Sequence, residues 1–249
     1  MTRPYNRANL PPMHILDTAD FYTHALGKAT LELLNLRLGQ HLPQRSDALV
    51  MGLGYASPYL SAQSRHLSFM MARGGVVHWP QDGDVKSALV DDLALPLPDN
   101  SVDVALLIHA LEFSESAEDL MAEVWRVLTP QGKLILIVPN RRGLWAISEA
   151  TPFGQGQPFS RGQLTKLLKD AQFSISSIAP AFISPPSAGT AVLKALEPFA
   201  KLGIGGFAGL NIAIATKQVH AYSLGKQARR ALPRFRAVLL PGTQHATKS

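Results

Sequence analysis

The stretch SALVDDLALPLPDNSVDVALLIHALE, residues 87–112, decides how the rest of the chain is read. It opens on a short apolar run, 87–90, that reads as a strand and stops at Asp91-Asp92. Leu95-Pro96-Leu97-Pro98-Asp99-Asn100 follows as a turn-rich connection, because its prolines fix φ and remove backbone donors. Residues 102–109, VDVALLIH, form a near-continuous apolar run, as expected of a strand covered on both faces. Outward from this core the pattern repeats. Upstream, 48–53 (ALVMGL) reads as a buried strand ending in Gly52-Leu53-Gly54, and 66–71 as a second. Ser57-Pro58 reads as the start of a helix, with Ser at the N-cap and Pro at the first helical position. Residues 73–86 read as loop. Downstream, 117–128 sets Leu120, Val124, Val127 and Leu128 on one helical face. Thr129-Pro130-Gln131-Gly132 breaks that helix before the strand 133–138 (KLILIV). A helix over 159–171 and strands over 173–178 and 209–215 complete the pattern, and a helix over 17–42 precedes it. Buried strands alternating with helices predict an α/β fold with a mostly parallel sheet.

The chain has 249 residues, 46% of them hydrophobic, which suits one domain with a core of its own, carrying extensions. It has no cysteine, which excludes a disulfide framework, a thiolate nucleophile, a zinc ribbon and a Cys-ligated iron–sulfur cluster. The first residues lack the apolar core of a signal peptide, and the longest uncharged apolar stretch, 202–215, is too short to span a bilayer. The expectation is a soluble, cytoplasmic protein. The net charge is +6, unevenly spread: residues 198–249 hold eight Lys/Arg and no Asp/Glu, which leaves −2 for residues 1–197. Through Arg229, Arg230, Arg234 and Arg236 such an end attracts nucleic acid, anionic lipid or an acidic partner, or it is simply a solvated extension.

In open α/β sheets ligands sit beyond the carboxyl ends of the strands, so residues at strand ends are the candidates for chemistry. Gly52-Leu53-Gly54-Tyr55 lets the backbone turn sharply and approach a ligand. Asp91 and Asp92 offer carboxylates to an amino group, or cap a turn. His109, followed by Glu112, offers a base or a ligand-holding group, or a satisfied structural histidine. Arg141-Arg142 offers cations for a carboxylate or phosphate, or a solvated turn. A nicotinamide-type fingerprint is absent, because position 57 is Ser where a third glycine belongs. No His/Asp/Glu cluster at metal-ligand spacing and no Gly-x-Ser-x-Gly elbow occurs.

Taken together, these segments resemble the class I S-adenosylmethionine-dependent methyltransferases of the methyltransferase domain 11 kind. The resemblance rests on Asp91 four residues before Leu95-Pro96-Leu97, on Asp99-Asn100-Ser101-Val102-Asp103, and on 123–133 (EVWRVLTPQGK). It implies a Rossmann-like seven-stranded, mostly parallel sheet flanked by helices, with S-adenosylmethionine as cofactor. It implies one domain over 1–216: a helical extension 1–45, a cofactor-binding core 46–140 and an acceptor-side half 141–216, followed by a basic tail 217–249. Tyr22, Gly52, Leu53, Gly54, Tyr55, Asp91, Asp92 and His109 are then the expected cofactor contacts. His109 is the first candidate base, with Tyr22 and Glu112 behind it. Val50 stands where the family places an acidic residue, Ala56 where it places a third glycine, and Gln131 replaces another. The acidic residue expected after the second strand is not evident: Ala72-Arg73 follow 66–71, and Asp82 is the nearest alternative. Phe21-Tyr22 and 151–160 (TPFGQGQPFS) resemble an uncharacterised bacterial branch, and the second segment reads as an active-site loop or lid. The expected activity is methyl transfer to an unidentified acceptor. The alternative is a catalytically impaired member acting as a binding partner or scaffold, associated with nucleic acid through its basic tail.

Overall fold

The computed structural model describes residues 15–43, 45, 47–61, 65–71, 79–80, 84–200 and 207–219. Ala72, Arg73, Asp82 and the four tail arginines therefore lie outside the described residues. Seven strands form one sheet: β1 (Val50–Gly54), β2 (His66–Met71), β3 (Ser87–Val90), β4 (Val102–Ile108), β5 (Leu128–Pro139), β6 (Phe173–Ala181) and β7 (Leu210–Lys217). Their order is β3-β2-β1-β4-β5-β7-β6, all parallel except β7, which runs antiparallel to both neighbours. The strand order reverses between β1 and β4, which makes that pair the crevice-forming point of the sheet.

Burial follows the strand composition. Every residue of β1 is buried, and β4 is buried apart from Asp103. At the edge, β3 has only four residues and leaves Leu89 45% exposed. Helices α3 (Ala117–Val127) and α4 (Arg161–Asp170) bury Leu120, Met121, Val124 and Val127, and Leu164, Leu167 and Leu168. Ser116 caps α3 by accepting from the Asp119 amide, and Ser160 with Gln163 forms a capping box on α4.

Four local expectations need correction. The helix expected over 17–42 is two helices, α1 (Ile15–Thr23) and α2 (Ala25–Leu38), separated at His24, whose backbone is extended. Gly27 makes the corner: a Cβ there would lie 2.0 Å from the Phe21 carbonyl oxygen, so only glycine lets α2 start against the end of α1. No helix follows Ser57-Pro58; the chain makes one 3-10 turn, Ser57–Tyr59, and Ala56, not Ser57, precedes it. The strand β5 begins at Leu128 rather than at Lys133. The register jumps from Val102 opposite Leu128 to Val104 opposite Lys133, so the segment 129–132 is a bulge, with Gln131 at φ 65°. Finally, α5 (Thr190–Ala200) was not expected, and it contains Pro198. Its buried Glu197 pairs with Arg37 of α2 at 2.6 Å, tying the two helices together.

Candidate active site

The parallel register sets Gly54 of β1 beside Ile108 of β4, so the turns leaving both strands begin side by side. The Tyr55 amide donates to the Ile108 carbonyl at 2.8 Å. Gly54 has φ 82°, and a Cβ there would lie 2.3 Å from the Ile108 oxygen and 2.5 Å from the His109 oxygen. Gly52 faces Ala56 and Leu60, each of which would lie 2.8 Å from an added Cβ. Both glycines thus let the turn after β1 fold down on itself and on β4.

His109 is the first residue past β4. Its φ of 54° lies in the left-handed region, which a histidine adopts more readily than a branched residue, and its ring is fully buried. Its Nε2 lies 3.0 Å from the Tyr22 hydroxyl, and the Tyr59 hydroxyl donates to the Tyr22 oxygen at 3.0 Å. Its Nδ1 lies 3.5 Å from Oε1 of Glu112, also fully buried. Neither Glu112 oxygen nor His109 Nδ1 has a hydrogen-bond partner among the described residues. Aromatic rings surround this line of groups. Tyr22 stacks on Tyr55 with ring centres 5.3 Å apart, and Phe153 lies over His109 at 4.3 Å. Burial, and then the neighbouring Tyr59, pushes the Tyr22 phenol well above its ordinary range. Burial likewise raises Tyr55 and Tyr59.

The segment expected as a lid, 151–160, forms the roof. Phe153 is fully buried against His109 and Trp145. The Gln157 amide donates to the Glu112 carbonyl at 2.8 Å, and Gly156 packs so closely that a Cβ would lie 2.7 Å from Glu112 Cγ. Arg141 and Arg142 are exposed, and Arg141 donates to the Pro158 carbonyl, so it braces this loop from outside.

Two strands away, Asp91 ends β3. It is exposed, and its Oδ1 accepts from the Leu93 amide at 2.9 Å. Asp92 is half-buried and accepts from the Ser114 hydroxyl at 2.5 Å. The fold therefore gathers Tyr22, Gly54, Tyr55 and His109 into one cluster and sets Asp91 apart on the same carboxyl edge. Tyr59 and Phe153 were not singled out beforehand. Only the closeness of Tyr59 to the glycine turn, and of Phe153 to the proline and glycines of its loop, marked them in sequence.

Residues 52–136 match the family model for the methyltransferase domain. That stretch resembles a methyltransferase domain, and the sheet around it has the class I methyltransferase fold. The chain is 28% identical over 149 residues to the demethylmenaquinone methyltransferase of Thermus thermophilus; the match spans 57% of the chain and 63% of that relative's length. Its fold is similar to that of a methyltransferase of Thermotoga maritima described as a possible histamine N-methyltransferase, with TM-score 0.58, 16% identity, and 82% and 96% of the two chains covered. It is also similar to the [4+2]-cyclase SpnF, with TM-score 0.55, 14% identity, and 85% and 98% covered. At such identities the likeness concerns the fold alone, and the same class I methyltransferase fold includes a cyclase.

The residues fit the family's cofactor on two counts. Asp91 presents an exposed carboxylate at the end of β3, where a donor such as an adenine amino group can be held. The turn after β1 brings backbone close to the β1/β4 crevice, next to buried polar atoms of His109 and Glu112 that lack hydrogen-bond partners among the described residues.

Proposed function

We propose that this chain transfers a methyl group from S-adenosylmethionine to an acceptor that loses a proton from its attacking atom. When bound, the cofactor supplies a methyl group already activated on a sulfonium, so the protein's work is positioning and proton removal. Gly52, Leu53, Gly54 and Tyr55 line the crevice side of the cofactor, Asp91 holds its adenine, and Asp92 fixes the neighbouring turn through Ser114. His109 is the base. The observation that carries this reading is the buried histidine at the end of β4, linked to a tyrosine on one side and facing a carboxylate on the other. Such a pairing gives a neutral imidazole a place to put a proton and a counter-charge for the cation it becomes. The loop 151–160 covers His109 and excludes water, so its displacement admits the acceptor.

The reading is tested by calorimetric titration of the purified protein with S-adenosylmethionine and S-adenosylhomocysteine. Micromolar binding is the expected result. No binding up to millimolar concentrations overturns it and would return attention to the scaffold reading, which neither the crevice geometry nor the relatives favour.

A further inference from the structure

The hydrogen bonds around His109 are directional. Tyr59 donates its hydroxyl hydrogen to the Tyr22 oxygen at 3.0 Å. The other short contact of the Tyr22 hydroxyl is His109 Nε2 at 3.0 Å; placing the Tyr22 hydrogen there, with Nε2 accepting, gives that buried hydrogen a partner. The ring's own hydrogen is therefore on Nδ1, the nitrogen that faces Glu112 Oε1 at 3.5 Å. With its Nε2 lone pair taken by Tyr22 and Phe153 over its face, the imidazole presents no free lone pair to an acceptor.

We propose that His109 acts through Tyr22: the tyrosine hydroxyl meets the acceptor's proton, and His109 with Glu112 behind it receives and balances the charge. This rests on the methyl-transfer reading above and assigns Tyr22 a catalytic role, with His109 and Glu112 as the groups that make it competent. The acceptor's X–H takes the position on the Tyr22 oxygen that the Tyr59 hydroxyl holds in the closed arrangement. As the acceptor's lone pair bonds to the methyl carbon, the carbon–sulfur pair stays with sulfur. The acceptor's proton passes to the Tyr22 oxygen while Tyr22's own proton passes to Nε2. The imidazolium so formed carries hydrogens on both nitrogens, and its charge faces the buried Glu112 carboxylate. Tyr22 ends neutral, so the relay never needs a free tyrosinate. That matters, because burial makes an isolated tyrosinate costly at this position.

The arrangement has an observable that does not depend on knowing the acceptor. Histidine ring nitrogens give separate ¹⁵N signals for the protonated and bare forms, so the tautomer can be read directly. The full chain, labelled with ¹⁵N, is examined at mildly alkaline pH, and the His109 signals are identified among the eight histidines by their loss in His109→Asn. The expected spectrum has Nδ1 protonated and Nε2 bare. In Tyr22→Phe the donor to Nε2 is gone, and a fraction of the proton shifts to Nε2. In Tyr59→Phe the ring packing changes as little, but the Tyr22–His109 bond survives, so the Nδ1–H form is retained. A wild-type ring protonated on Nε2, or a Tyr22→Phe spectrum identical to wild type, overturns the relay. Calorimetry with S-adenosylhomocysteine on the same samples separates the two ideas. Retained cofactor binding with the wrong tautomer removes the relay alone, whereas absent binding in the wild type removes the methyl-transfer reading on which it rests.

Discussion

Arg126 and Glu123, one turn apart on α3, close on each other at 2.7 Å and together hold the chain that joins β3 to β4. Arg126 donates to the Leu95 carbonyl at 2.9 Å, to the Leu97 carbonyl at 2.8 Å and to Asp99 at 2.7 Å, while Glu123 accepts from the Leu95 amide at 2.9 Å. The turn's prolines lack donors, so it makes few bonds within itself, the Leu97 amide to the Leu95 carbonyl at 2.8 Å among them. The helix after β4 therefore fixes the loop before β4, and with it the position of Asp91. Removing Arg126 strips two backbone carbonyls of a charged donor. Arg126→Ala should lower stability by about 1.5–3 kcal/mol, the range for losing hydrogen bonds to a charged group. Urea unfolding followed by circular dichroism measures this, and a loss below a few tenths would show the clamp to be ornamental.

The same pair predicts an acid limb. The Arg126 hydrogen bond, assisted by the Leu95 amide and the guanidinium charge, holds the Glu123 carboxyl below its ordinary value against the opposing effect of burial. The folded state thus binds fewer protons at this group than the unfolded state. Its stabilisation is complete above the ordinary glutamate range and is lost as pH falls through the depressed value. Glu123→Gln should be less stable than wild type at neutral pH, and the difference should narrow as the solution is acidified below about pH 4, near the ordinary range for glutamate. Unfolding free energies measured from pH 7 to pH 3 give the two curves; parallel curves would refute the assignment.

Asp91 carries a separate prediction about binding. Its Oδ1 holds the Leu93 amide, so the turn and any ligand contact must be disentangled. Asp91→Asn keeps an oxygen for that amide and removes the charge, whereas Asp91→Ala removes both. If the carboxylate holds the cofactor's adenine, both variants should bind S-adenosylhomocysteine more weakly. The alanine variant should lose about ten- to a hundredfold, since a charge-assisted bond is worth roughly 1.5–3 kcal/mol. Unchanged affinity in both, by calorimetry, would leave Asp91 a turn residue only.

The sheet was legible because its strands announce themselves. Runs such as 102–109 and 133–138 are apolar apart from Asp103, His109 and Lys133, as expected of strands covered on both faces. The seven-stranded, mostly parallel sheet followed from the family resemblance carried by Asp91, Leu95-Pro96 and 123–133, whereas the strand order and its reversal at β1/β4 came from the structure. What stayed hidden was set by long-range contacts. The corner at His24 depends on Gly27 meeting the Phe21 carbonyl, and a glycine in a helical pattern reads only as a mild penalty. The bulge 129–132 depends on the register of β4 against β5. Tyr59 and Phe153 belong to the cluster because a 3-10 turn folds back on Tyr22 and a loop folds back on His109, and no local pattern encodes that return.

Gly54 and Gly189 both have a positive φ, 82° and 81°, in different surroundings. At Gly189, where ψ is 164°, a Cβ would meet nothing within 4 Å, so Gly189→Ala should cost only the backbone penalty of that glycine-favouring region, about 1–3 kcal/mol. At Gly54 the added carbon would lie 2.3 Å from one backbone oxygen and 2.5 Å from another, neither of which can rotate away. Gly54→Ala should therefore cost more than about 3 kcal/mol by adding overpacking to the penalty of a positive φ. In a chain of this size that is on the order of 10 °C in the midpoint of thermal unfolding. Equal midpoints for the two variants would mean that the β1 and β4 turns are not tightly joined in solution.

Arg37 and Glu197 give the sharpest test of how α5 is attached. Both side chains are more than nine-tenths buried and meet at 2.6 Å. Arg37 also donates to the Pro180 carbonyl at 2.8 Å, and Glu197 accepts from the Phe182 amide at 2.9 Å, where Phe182 has φ 59°. The carboxylate thus does two jobs: it compensates a buried cation and satisfies a backbone donor in a strained turn. Glu197→Ala abolishes both and should cost about 3–5 kcal/mol, the range for stripping one partner from a buried pair. Glu197→Gln keeps an oxygen for the Phe182 amide but leaves the buried Arg37 cation uncompensated, so it should lose most of what Glu197→Ala loses and spare only the backbone contact. Arg37→Met leaves the carboxylate with the Phe182 amide but without its cation, and should resemble Glu197→Ala in magnitude. Chemical unfolding of the three variants ranks them. If Glu197→Gln proved as damaging as Glu197→Ala, charge compensation would dominate. If it proved neutral, the contact with the Phe182 amide would be what fixes the turn after β6.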